Sequence, residues 1–336
     1  MTNAKPTEIG RDGIPFSIAV AHVEQDDDLR RGLSILAQKC DLIAWIVQEI
    51  LALLPDRTTW RLTLTGDIAA TVNEIEGRDE GSGYAIDRGA GHVGGITLPS
   101  ADGTFDIVIG VENIVNPFGE YDDFEGLAAN AIATGRHLGR HEAGHAALSL
   151  RGEADEGYRD LPKLDPTAAG WTHAVAAYMD DFRIERHVRE HTPPVFSHLD
   201  GLSDAIAHLS SELSAANASW KLDLDAAANR SDYGIGGFVR VIAYLAAELG
   251  LDDHGQPVVP ERTPPKWDRY LGTAWPVWSA TFHRLRPVDE PMTSDELSEV
   301  LGKLCQLVVN WSAAIGYDRG LTGDGRAYAF WTEESY

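Results

Sequence analysis

The stretch GRHLGRHEAGHAALSLRG, residues 135–152, contains two histidines four positions apart, with a glutamate directly after the first. The stretch lies within a helical pattern, and one helical turn takes 3.6 residues. His141 and His145 are therefore predicted to lie on the same helix face, where their imidazoles can share one metal ion. Glu142 is rotated by about 100° from His141, so it borders that face.

This spacing favours one Zn2+ ion as the cofactor. Catalytic zinc takes three protein ligands and leaves one position for a water molecule. With His141 and His145 as two ligands, Glu142 is placed to accept a proton from that water as general base. A third ligand must come from another part of the chain.

Composition narrows the class of protein. The chain has 336 residues, of which 43% are hydrophobic and 24% charged, as in an ordinary globular protein. Its net charge of -24 disfavours nucleic acid and anionic lipid as partners. Cys40 and Cys305, the two cysteines, lie in apolar helical patterns and are expected in a core rather than in a disulfide framework.

No targeting or membrane segment is expected. The N-terminus lacks a basic segment followed by an apolar one. The most apolar stretch, residues 42–54, contains Gln48 and Glu49 and falls short of the roughly 20 residues that a membrane span needs. These features predict a cytoplasmic protein without a membrane partner, and no sequence pattern specifies its oligomeric state.

The pattern along the chain predicts three parts. Residues 1–25 are polar and irregular, like a tail or an added edge, residues 26–193 form the domain that carries the motif, and residues 194–336 form a helical region with an aromatic, glycine-rich tail. The predicted elements of the middle part are a helix over 29–54 preceded by three aspartates, strands over 59–66, 91–99 and 105–114, the motif helix from about residue 125, and a helix over 165–191.

On these residues the chain resembles the zincin-type zinc metallopeptidases, with likeness to their gluzincin and aspzincin branches and no subfamily identified. The resemblance covers residues 26–191 and implies an α+β fold, with a zincin-like domain before the helical region. In that family the strand nearest the motif helix binds substrate as an edge strand, and residues 105–114 match that position. HEAGHA also resembles the peptidase domain of membrane-anchored ATP-dependent zinc proteases, which use an aspartate as third ligand. This chain has neither their phosphate loop nor a membrane span.

Several patterns for the third ligand are excluded by the sequence. A metzincin needs a glycine and a histidine where this chain has Leu148 and Arg151. Asp165 has a thermolysin-like spacing, but it precedes Pro166 and is better explained as a helix cap.

The sharper candidate for the third ligand is Asp181, because it falls in the middle of an apolar helix face. A carboxylate there is costly unless a positive group compensates it. Glu185 lies one turn further on, and the pair resembles the family's third-ligand helix with the two acids in reversed order. We therefore predict Asp181 as the ligand and Glu185 as its support or alternative. Asp180 points elsewhere. The alternative is that these acids form surface ion pairs with Arg183, Arg186 or Arg189.

Other residues remain as alternatives. HVREH, residues 187–191, matches the inverted HxxEH motif. His137 lies one turn before His141 and is expected to be a neighbouring polar residue. Transition-state stabilisers are sought among Tyr178, His173 and Arg183.

The sequence thus predicts a zinc-dependent peptidase that acts on an intracellular peptide or protein. One alternative is a binding or regulatory module that keeps the fold with vestigial activity. The intact Glu142 argues against this, because a structural zinc site needs no general base. The other alternative is a zinc amidohydrolase with a non-peptide substrate.

Overall fold

The computed structural model describes residues 17–78, 84, 93–115 and 123–336, together with the backbone of residues 7–8. It has the predicted α+β character, with many helices and a small mixed sheet. The chain forms two compact units. The first contains Met1–Leu150 and Val188–Phe196, and the second contains Arg151–His187 and Ser197–Tyr336.

The first unit is built around the mixed sheet. Its described strands are β1 (Thr7–Glu8), β2 (Ser17–Ala21), β3 (Trp60–Thr65), β4 (Gly95–Pro99) and β5 (Phe105–Gly110). Their order is β1-β2-β3-β5-β4, in which β2, β3 and β5 are parallel while β1 and β4 are antiparallel to their neighbours. The strand β2 lies within residues 1–25, for which the sequence predicted an irregular tail or an added edge. The first two residues of the predicted strand 91–99 lie outside the described residues.

The position predicted for β5 was wrong. The resemblance suggested residues 105–114 as the edge strand, but β5 lies between β3 and β4, and β4 is the outer strand. All six residues of β5 are buried, as expected for a strand covered on both faces. The strand also ends at Gly110, and Glu112–Val115 form the short helix α4.

The helix predicted over residues 29–54 is two helices, α1 (Asp27–Lys39) and α2 (Leu42–Leu53). Asp41 between them has a φ of 51°, in the left-handed region that aspartate tolerates better than most residues. The break shifts the helical register, so α2 buries Leu42, Ile46 and Ile50. Cys40 ends α1 and is only half-buried, contrary to its predicted core position.

The described part of the first unit also contains the helices α3 (Ile68–Glu76) and α5 (Phe124–Leu150). Glycines let α5 approach α2 closely. A Cβ at Gly135 would lie 3.0 Å from Ile46 Cγ1, and one at Gly139 would lie 3.0 Å from the Ile46 carbonyl oxygen. This contact offsets the cost of glycine within a helix, about 1 kcal/mol each.

A buried acid also ties α2 to α5. Glu49 is 2% exposed and accepts hydrogen bonds from Arg136 Nε at 2.6 Å and from Arg140 Nε at 2.7 Å. Both arginines lie on α5, next to His137 and His141 in sequence. Glu49 therefore fixes the rotation of the helix that carries the motif.

Replacing Glu49 with alanine is expected to destabilise the protein by about 3 kcal/mol, because two largely buried arginines lose their counter-charge. Urea unfolding followed by circular dichroism measures the effect. Exposed Glu24 provides the matched control, since its replacement by alanine should change stability by less than about 0.5 kcal/mol. Equal stability of the two variants would contradict the role given to Glu49.

The second unit is mostly helical. Its described helices are α6 (Pro166–Ala169), α7 (Thr172–His191, whose last four residues belong to the first unit), α8 (Leu202–Ser219), α9 (Leu224–Leu249), α10 (Trp275–Phe282) and α11 (Ser294–Ala314). Asp165 caps α6, as predicted, by accepting hydrogen bonds from the Thr167 and Ala168 amides. The helix predicted over 165–191 is divided at Gly170, so α6 and α7 are separate.

Aromatic side chains fill the core of the second unit. The Trp311 ring lies 5.8 Å from that of Phe238 and 6.1 Å from that of Trp278, measured between ring centroids, and Cys305 is buried as predicted. Thr293 and Glu296 form a capping box at the start of α11. The sequence predicted no strands in the region beyond Pro194. The aromatic tail forms an antiparallel pair, β6 (Tyr317–Leu321) and β7 (Ala327–Trp331).

Candidate metal centre

His141 and His145 lie side by side on α5, as the four-residue spacing predicts. Their ring centroids are 5.1 Å apart and their planes make an angle of 69°. One ring nitrogen of each lies within 4.8 Å of the other. Two zinc-bound nitrogens in tetrahedral geometry are about 3.3 Å apart, given Zn–N bonds of about 2.0–2.1 Å. A modest side-chain rotation therefore brings both nitrogens to a shared ion.

His137 extends this row by one turn. Its ring is stacked on that of His141, with a centroid distance of 6.2 Å and an interplanar angle of 9°. The Phe196 ring lies 5.2 Å away on the same unit. His137 is 6% exposed, so it is a buried neighbour of the pair. Mutation of His137 and of His145 tests which of the two binds the ion together with His141.

Glu142 lies against β4. Its side chain is buried, and its Oε2 atom accepts a hydrogen bond of 2.9 Å from the Thr97 hydroxyl. The same hydroxyl lies 2.7 Å from the main-chain carbonyl oxygen of Glu142. Sequence reasoning missed Thr97, because residues 45 positions apart give no local pattern.

Asp181 lies on α7 within the second unit, where it is paired with an arginine that the sequence did not suggest. Its Oδ2 atom lies 3.5 Å from Arg240 Nε, on α9. The Tyr244 side chain and the Asp181 carboxylate raise the pKa of Arg240. The sequence had offered Arg183, Arg186 and Arg189 as ion-pair partners, whereas this arginine comes from a distant helix.

Glu185, one turn further along α7, is fully buried. Its Oε1 atom lies 3.8 Å from His198 Nε2, and the His198 ring lies 4.8 Å from the Tyr244 ring. Burial, followed by the charge of Asp181, raises the pKa of Tyr244. Asp181 and Glu185 are therefore both held in one polar network of the second unit.

Asp180 has a different environment. It is 5% exposed and accepts hydrogen bonds from the Tyr158 hydroxyl at 3.0 Å and from the Asp155 amide at 3.1 Å. Burial raises the pKa of Asp180 well above its usual value. Both carboxylate oxygens of Asp180 thus accept hydrogen bonds within the second unit.

The candidate transition-state stabilisers have different environments. His173 is exposed, with its ring 3.5 Å from Asp155. Tyr178 is half-buried, and its hydroxyl lies 3.3 Å from the position that a Cβ would take at Gly236.

Arg183 does not fit the stabilising role, because it is fully buried. Its Nη2 atom donates to Glu153 at 2.7 Å, and its Nε atom donates to the Arg286 carbonyl oxygen at 3.0 Å. Arg183 therefore stabilises the interior of the second unit.

The inverted motif lies at the end of α7. His187 is 5% exposed, and its Nδ1 atom lies 3.0 Å from Asp289. Glu190 and His191 are exposed. The inverted motif is therefore a less suitable metal site than the HEAGH motif of α5, because His187 has a charged partner and Glu190 is exposed.

Within the described part of the chain, no helix combines the length and the apolar character that crossing a bilayer requires. Comparisons with protein-family models, with curated proteins and with solved structures found no match to this chain.

Proposed function

We propose that this protein is a zinc-dependent peptidase with the zincin-like arrangement that its sequence resembles. The observation that carries the proposal is the geometry of one helix. On α5, the His141 and His145 rings lie 5.1 Å apart, and the Glu142 carboxylate between them in sequence is buried against β4. Two neutral imidazoles and a nearby carboxylate are the groups that metal-assisted hydrolysis uses.

The donor set fits zinc. Imidazole nitrogens and carboxylate oxygens are its usual ligands, and we propose Asp181 as the third ligand on the strength of the sequence pattern. Arg240 Nε lies 3.5 Å from the same carboxylate, so in this proposal Asp181 meets the arginine and the ion together. When bound, zinc supplies a Lewis acid that lowers the pKa of a water molecule to about 7.

The chain's own residues then perform the proton transfers. Glu142 accepts the proton of the attacking water on a carboxylate oxygen and later donates it to the leaving amine. His141 and His145 would hold the ion, on a helix that Glu49 ties to α2. Burial of Glu142 limits its exchange with bulk solvent.

A peptide is the substrate class that the neighbouring strand favours. In the described sheet, β4 is the outer strand and is hydrogen-bonded only to β5. Such an edge can add an extended peptide by main-chain hydrogen bonds. Because Thr97 of β4 contacts Glu142, a peptide on this edge would pass close to the general base.

Replacing Asp181 with alanine is expected to weaken zinc binding by about 100-fold. A zinc-binding free energy of roughly 12 kcal/mol, shared by four ligands, gives about 3 kcal/mol for each ligand. Competition with a fluorescent zinc chelator measures the affinity. Asp180→Ala and Glu185→Ala are the comparisons, and both should have smaller effects. Asp181→Asn, which keeps the shape and removes the charge, should also weaken binding. A larger loss in either comparison variant would show that another acid is the ligand.

The function itself is tested by digestion of a peptide library and of labelled casein, with and without a metal chelator. Cleavage that stops on chelation and returns with added zinc is the expected result. Zinc binding without any hydrolysis would favour the binding module instead. Hydrolysis of small non-peptide amides without peptide cleavage would favour the amidohydrolase.

A further inference from the structure

The strand β4 presents two different faces. On one face, Ile96 and Leu98 pack with Ile68 and Val72 of α3 in a small apolar cluster. Side chains two residues apart in a strand point to the same side, so Gly95 and Thr97 share the opposite face. That face meets Glu142.

Both residues of this second face contact the same carboxylate. The Thr97 hydroxyl lies 2.9 Å from Oε2 of Glu142. A Cβ at Gly95 would lie 2.8 Å from Oε1 and 2.9 Å from Cγ of the same side chain. The position of Oε1 is therefore open only because residue 95 lacks a side chain.

The hydroxyl also fixes the carboxylate relative to its own helix. Thr97 Oγ1 lies 2.7 Å from the Glu142 main-chain oxygen and 2.9 Å from its Oε2 atom, so the one hydroxyl proton is shared between a main-chain and a side-chain acceptor of the same residue. A glutamate has three side-chain torsions, and a bridge of this kind restricts them. General-base catalysis depends on such placement, since misplacement by about 1 Å can cost a factor of about 100.

We propose that Thr97 and Gly95 are positioning residues for the general base, with Thr97 holding the Glu142 carboxylate and Gly95 leaving the space it occupies. This inference rests on the proposed function for its catalytic consequence. The placement of the carboxylate itself is independent of any activity and can be measured separately.

The test compares Thr97→Val, which keeps the shape and removes the hydroxyl, with Thr97→Ser, which keeps the hydroxyl. Thr63→Val is the matched control, because Thr63 is a half-buried strand threonine of β3 for which the described structure gives no side-chain hydrogen bond. Gly95→Ala serves as a second, independent variant. Each is measured with the zinc-loaded protein for kcat and KM on the peptide library. The 13C resonance of the Glu142 carboxyl carbon, assigned with Glu142→Gln, provides the readout that needs no activity.

We expect Thr97→Val and Gly95→Ala to lower kcat by about 10- to 100-fold with KM little changed. The Glu142 resonance should shift in both variants and stay in place in Thr97→Ser and Thr63→Val, with zinc content unchanged throughout. If Thr97→Val matches Thr63→Val in both kcat and the resonance while Glu142→Gln is inactive, the positioning role is wrong and the proposed function stands. If the resonance responds as expected but neither the wild type nor any variant cleaves peptides, the positioning role stands and the proposed function is wrong.

Discussion

Replacing His145 with alanine is expected to reduce zinc affinity by at least about 100-fold and to abolish hydrolysis. The estimate follows from roughly 12 kcal/mol of binding free energy divided among four ligands. The variant should remain folded, because His145 is only half-buried and helix α5 is held to α2 by its glycines and by Glu49. Metal analysis after dialysis, together with circular dichroism, separates loss of zinc from loss of structure.

His137 supplies the sharpest control for this result. Its ring stacks on His141 from the other side, and a ring nitrogen of each lies within 4.8 Å of the other. His137→Ala should keep zinc within a few-fold of the wild-type affinity. Loss of zinc in His137→Ala together with its retention in His145→Ala would move the metal position one helical turn along α5.

Replacing Glu142 with glutamine is expected to lower kcat by about 10³- to 10⁴-fold, the upper part of the range for a lost general base. Glutamine has nearly the same shape and can still accept the hydrogen bond from Thr97, but its amide does not accept a proton at neutral pH. Zinc content should remain at the wild-type level, since Glu142 is not a ligand. Steady-state kinetics on the peptide library and metal analysis measure the two quantities.

Glu125 is the matched control, because it is an exposed glutamate on the same helix. Glu125→Gln should leave kcat within about two-fold of wild type, as is usual for surface changes away from a site. Retained activity in Glu142→Gln would show that another group acts as the base. Loss of zinc in Glu142→Gln would show that Glu142 is a ligand, which would change the mechanism.

The local elements were predictable where the sequence carries a local signal. The strand β3, the cap at Asp165 and the capping box at Thr293 follow from side-chain alternation and from residues that accept main-chain hydrogen bonds. The break between α1 and α2 was missed, because apolar residues continue at helical spacing across Asp41. The left-handed backbone of Asp41, which separates the two helices, has no counterpart in that spacing. Its effect appears only in which residues of α2 are buried.

The tertiary neighbours of the site were not predictable, because they depend on distant residues. The position of β5 inside the sheet depends on its pairing with both β3 and β4, which no local pattern of its own residues specifies. Thr97 contacts Glu142, and Arg240 contacts Asp181, in each case from a different strand or helix. No spacing in the sequence links the members of either pair. By contrast, the relation of His141 to His145 was predictable, because it depends only on helix geometry.

The zinc content of the purified wild-type chain tests the central claim most directly. The apoprotein is prepared with a chelator, reloaded with Zn2+, passed through a desalting column and analysed by mass spectrometry for metal per chain. We expect one zinc ion per chain, with none retained when His141 and His145 are both replaced by alanine. A wild-type chain that retains no zinc, or zinc that persists in the double variant, would contradict the metal centre on α5.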